Sequence, residues 1–95
     1  MNIELTARHY EAADRAKKHL EEEIGNLEIY EDLISRCKVI LEKTKDGEMV
    51  EISMHVRGKD LIAQVVSDDM IKSIDQAVTK IERQLQKFKE KRFTR

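Results

Sequence analysis

The sequence contains no proline and no tryptophan, only three glycines, and two tyrosines and two phenylalanines as its whole aromatic content. Proline and glycine punctuate irregular chain, so their scarcity excludes long loops and predicts regular secondary structure almost throughout. So few aromatic side chains leave little material for a large stacking cleft. The one cysteine, Cys37, excludes an intrachain disulfide, and the start MNIELTARHY lacks both the basic opening and the apolar run of a secretion signal. A reducing, cytoplasmic setting is expected. No stretch approaches the roughly 20 apolar residues needed to span a bilayer, so membrane insertion is not expected.

What the chain has is charge. Charged residues make up 39% and hydrophobic ones 40% of its 95 positions, which predicts one domain over 1–95 with a lean core and a flexible tail at 92–95. The formal net charge of -1 conceals an uneven distribution. Residues 1–79 hold 11 Lys/Arg against 17 Asp/Glu, a net of -6, whereas residues 80–95 hold 7 against 2, a net of +5. Positive charge is therefore concentrated at one end of the chain, as in proteins that meet a polyanion with one surface.

Hydrophobic periodicity gives the element order. Ile3, Leu5 and Ala7 alternate with polar neighbours, the period-2 pattern of a half-buried strand. Ala13, Ala16, Leu20, Ile24 and Leu27 then recur at three and four, which predicts a helix capped by Asp14 and continuing through Gly25-Asn26 to about Glu31. Alternation returns in Cys37, Val39 and Leu41, in Val50, Ile52, Met54 and Val56, and in Leu61, Ala63 and Val65. Asp46-Gly47 and Arg57-Gly58-Lys59 turn the chain between these three strands. The expected class is α+β, a two-layer β-α-β-β-β-α sandwich. A right-handed first crossover makes strands one and two parallel and puts both helices on one face of a four-stranded sheet. The other face carries Thr6, Lys38, Glu42, Glu51, Ser53, His55 and Gln64, and a small apolar group of Ile40, Ile62 and Val66.

The last helix is the strongest pattern. Ile71, Ile74, Val78, Ile81, Leu85 and Phe88 form one apolar seam over about five turns. At about 100° per residue, Lys80, Arg83, Lys87 and Lys91 fall in a separate stripe, with Gln76 and Gln84 beside them, spread over roughly 16 Å. A lysine-rich face near a helix C-terminus also complements the helix dipole. Against that bland reading, only Glu82 and Glu90 lie among the seven basic residues, too few to neutralise the stripe by i,i+4 pairs. A row of unpaired cations at this length suits successive phosphates. The first helix adds Arg15 and Lys18 outward, followed at once by the acidic run Glu21-Glu22-Glu23, so any contact there is confined to its first turns.

No catalytic constellation emerges. His9, His19 and His55 have no close-spaced cysteine or second histidine to form a metal set, the glycines are isolated, and Cys37 alternates into the core. No enzyme activity, cofactor, metal or small-molecule substrate is expected.

The element order, with the segments ILEK at 40–43, MHVRG at 54–58, DDMIKSID at 68–75 and RQLQKFKEK at 83–91, resembles the ribosome hibernation promoting factor family along the whole chain. The combination of Asp69, Met70, Ile74 and Asp75 with the following K-x2-RQL-x-K-x-K is the specific part. The resemblance implies a double-stranded-RNA-binding-like fold and a bacterial stress-response role. It also implies binding to small-subunit ribosomal RNA in the channel used by messenger and transfer RNA, which would inhibit translation and store inactive ribosomes. It carries RNA contact onto Lys80, Arg83, Lys87 and Lys91, with Lys89 beside them and Arg15 and Lys18 as a second contact. The stop at Arg95 resembles the family's short form, which acts with a separate ribosome modulation factor. The chain departs from the family pattern at Ala7, Ala13, Val66, Ile71 and Phe88. An alternative implied by the family's older label is a sigma-factor modulator binding protein through the outer sheet face.

Overall fold

The computed structural model describes residues 2–11 and 13–93, the last two of these by backbone alone. Its elements are β1 (Ile3–Arg8), α1 (Asp14–Gly25), a 3₁₀ segment (Glu28–Leu33), β2 (Ile34–Thr44), β3 (Gly47–Val56), β4 (Lys59–Ser67) and α2 (Met70–Phe93). The sheet order is β1-β2-β3-β4, with β1 and β2 parallel and the other pairs antiparallel. Both helices lie on one face, as the period-2 pattern and right-handed crossover require. Of the tail expected at 92–95, the α2 backbone takes in 92 and 93, and 94 and 95 lie outside the described residues.

The core is the set of alternating strand residues plus the helix seams. Val39, Leu41, Val50, Ile52, Met54 and Val56 are buried beneath Leu20, Ile24, Ile74, Ile81 and Leu85. Each such side chain contributes about 1.5–3 kcal/mol on burial. Cys37 is one of them, and burial pushes its thiol up from 9.0 to about 11. Because the folded-state value is the higher, its stabilising contribution is complete below about pH 9 and is lost as pH rises toward 11. Native protein at pH 8 should therefore resist thiol alkylation, and denatured protein should react at once; rapid native labelling would show that the strand opens.

The start and end of α1 both differ from the periodicity reading. Asp14 is the first helical residue and not the cap; Ala13 holds the cap position, with extended φ and ψ and no side-chain hydrogen bond. Alanine satisfies the backbone geometry of a cap without supplying the acceptor oxygen. Ala13→Ser should thus stabilise the fold by about 1 kcal/mol, raising the melting temperature by roughly 4–8 °C. No rise would mean that the first turn is already satisfied another way.

Nor does α1 continue to Glu31. It ends at Gly25, where the backbone-entropy cost of glycine meets i→i-3 bonds from Asn26 N–H to Glu23 O and Leu27 N–H to Ile24 O. The chain tightens to three residues per turn, so Leu27, Tyr30 and Leu33 share one buried face. The hydrophobic register survives although the helix type changes.

The α2 N-terminus is fixed more firmly. The Asp69 carboxylate accepts from Lys72 N–H at 3.1 Å, the bond of a helix cap. Ser73, buried in the next turn, donates to Glu48 O at 2.7 Å, and its hydroxyl lies 2.5 Å from that of Ser67 in hydrogen-bonding contact. These bonds tie the helix start to β3 and β4. The antiparallel return over β4 then brings Gln84 to the edge strand, where its amide donates to Ile62 O at 2.8 Å.

Candidate nucleic-acid interface

Pinning at both Ser73 and Gln84 fixes the rotation of α2 about its axis. Its seam faces the sheet, and Lys80, Arg83, Lys87 and Lys91 stand exposed on the outer flank that overlooks β4. None of the four has an ion pair among the described residues. A row of unpaired like charges gains when it meets a polyanion, which releases its condensed counterions. The residues derived from the heptad-like spacing thus occupy one surface.

Two details were not legible in the spacing, and a third departs from what the resemblance implied for Lys89. Gln84, adjacent to the row, is committed to Ile62 O and so braces the helix. Lys59, the first residue of β4, lines the same shallow groove as Lys87 and Lys91 and brings a further cation to the row's C-terminal end. Its proximity follows from the antiparallel return of α2. Lys89 points roughly 160° away from the centre of the row on a helical wheel, with Nζ 5.7 Å from the Tyr30 ring centroid. It therefore packs on the flank nearer α1 and the 3₁₀ segment, in cation–π geometry.

Arg15 and Lys18 are exposed on α1, about 140° and 160° from the centre of its buried stripe of Ala16, Leu20 and Ile24. They face solvent but belong to a different helix from the row. His19 turns the other way, and its Nε2 lies 2.5 Å from Asp75 Oδ1 on α2. His55 remains on the outer sheet face, bonded to Asp60 at 2.7 Å. That outer face is less apolar than its composition implied. Ile62 and Val66 are exposed, but Ile40 is half-buried, and Glu51 and Gln64 stand between it and β4's apolar pair.

A four-stranded mixed sheet backed by two helices, one of them presenting an unpaired cationic row, defines a small α+β domain with a single polarised surface. The chain belongs to the Sigma 54 modulation protein / S30EA ribosomal protein family, whose sequence model matches residues 3–92. It is 32% identical over 95 residues to the ribosome hibernation promoting factor of Azotobacter vinelandii, an alignment covering all of this chain and 89% of that protein. A ribosomal subunit interface protein from Coxiella burnetii has a similar structure, with a TM-score of 0.87 at 28% identity, covering 94% of this chain and 98% of the other. The Thermus thermophilus Protein Y N-terminal domain is also similar, with a TM-score of 0.82 at 28% identity, over 93% and 99% of the two chains.

Proposed function

We propose that this chain is a ribosome hibernation factor: a single ribosome-binding domain that occupies the messenger and transfer RNA channel of the small subunit and silences translation in the cytoplasm. The observation that carries the reading is the unpaired row Lys80, Arg83, Lys87 and Lys91, held at fixed rotation on α2. Family membership supplies the ribosomal target. Rows of cations recognise phosphate without reading bases, so binding is to the shape and backbone of folded RNA, with Arg15 and Lys18 as a weaker second contact. The mechanism is occupancy and needs no catalytic group. The resemblance also implies a separate modulation factor as the partner that pairs the idled ribosomes.

The sigma-factor reading rests on the outer sheet face. Its exposed apolar residues there are Ile62 and Val66, and the Glu51–Gln64 pair divides them from Ile40, so the first reading is favoured. Sedimentation of ribosomes with the pure protein tests it. Intact particles should carry the protein and lack messenger and transfer RNA, and a dimer peak should appear only when a modulation factor is added. Ribosomes that sediment without the protein, with their RNA ligands retained, would refute the proposal.

A further inference from the structure

His19 and Glu23 lie four residues apart on α1, so their side chains leave one face on successive turns. Asp75, early in α2, closes against them, and one donor atom from each of the three lies within 4.8 Å of the others. His19 and Glu23 are half-buried and Asp75 is exposed, which leaves the cluster open to water on one side. We propose that His19, Glu23 and Asp75 form a three-ligand site for a divalent cation of borderline softness, of which Zn²⁺ is the type, clamping α1 to α2. The inference is independent of the ribosomal reading.

The donor set selects the ion. One imidazole nitrogen with two carboxylate oxygens suits Zn²⁺, with water in the fourth position, whereas Ca²⁺ and Mg²⁺ favour oxygen-only shells with more ligands. A tetrahedral ion with bonds of about 2.1 Å needs donors roughly 3.4 Å apart. The His19–Asp75 contact at 2.5 Å is shorter than this and the 4.8 Å limit of the cluster is longer, so small side-chain rotations reach it. A hydrogen bond between His19 and Asp75 does not explain the third member. Glu23 adds a second carboxylate beside Asp75 and has no ion pair among the described residues. Two close carboxylates with one imidazole leave a charge that a dication neutralises. The other histidine–carboxylate pair, His55 with Asp60, gathers no third ligand among the described residues and serves as an internal control.

Titration calorimetry of the full chain with Zn²⁺, and separately with Mg²⁺, decides the matter. One Zn²⁺ should bind per chain, with Mg²⁺ not saturating at the same concentrations. Removing an outer-shell partner alone lowers metal affinity about 10-fold or more, so Glu23→Gln and His19→Ala should each lose at least that, while His55→Ala changes nothing. Glu23→Gln keeps the His19–Asp75 bond and should melt like the parent without metal, which separates ligand loss from unfolding. Binding weaker than about 0.1 mM in the parent, or parental affinity in either Glu23→Gln or His19→Ala, overturns the proposal.

Discussion

Reversing Lys87 and Lys91 to glutamate should weaken small-subunit binding by roughly 25- to 60-fold at 0.1 M salt and reduce the slope of log affinity against log salt by about 1.4–1.8. The size follows from counterion release. Each phosphate contact displaces about 0.7–0.9 of a condensed ion, so losing two contacts at 0.1 M removes about 1.4–1.8 decades of affinity. Both side chains are exposed and bear no ion pair among the described residues, so the change should leave the fold intact. Lys89→Gln is the informative companion. Its charge stands over Tyr30 on the other flank, so it should cost about 0.5–1 kcal/mol of stability and change the salt slope by less than the double reversal. Unchanged affinity and slope in the double variant would remove the row from the mechanism.

The row was readable in advance because it depends on helical periodicity alone. A seam of apolar residues at three and four fixes which face is buried, and every other position on the wheel follows from it. The strands were legible for the same reason at period two, and parallel pairing of β1 with β2 followed from crossover handedness. Local energetics was harder to read. Leu27 keeps its burial whether the backbone is α or 3₁₀, so apolar spacing could not reveal that α1 stops at Gly25. The missing signal was the three-residue repeat Leu27, Tyr30, Leu33, which belongs to a 3₁₀ face. Asp14 looked like a cap because the residue type is right, yet the chain enters the helix one position earlier at Ala13. Side-chain contacts between the two helices left no trace in the sequence. Glu23 is four residues from His19, but Asp75 is 56 away, and only the packing of the two helices gathers the three.

Gly47→Ala should destabilise the protein by at least about 3 kcal/mol, whereas Gly25→Ala should stabilise it by about 0.4–1 kcal/mol. The contrast is a matter of backbone. Gly47 opens β3 at φ 140°, and a Cβ there would sit 2.5 Å from the Ser67 carbonyl oxygen. That neighbour belongs to the backbone of an antiparallel partner strand and cannot rotate away. Strained φ costs about 1–3 kcal/mol by itself, and the overlap adds to it. Gly25 has no positive φ and nothing within 4 Å of the added methyl, so alanine there only reduces the freedom of the unfolded chain. Melting curves should separate the two, with Gly47→Ala falling by more than about 12 °C and Gly25→Ala rising by a few degrees. A Gly47→Ala protein within about 1 kcal/mol of the parent would show that β3 and β4 can part at this end. The damage also reaches function. Ser67, whose carbonyl the methyl strikes, bonds through its hydroxyl to Ser73 of α2, and Ser73 bonds to Glu48 beside the glycine. Displacing Ser67 therefore loosens the joint that sets the rotation of α2, and with it the aim of the cationic row.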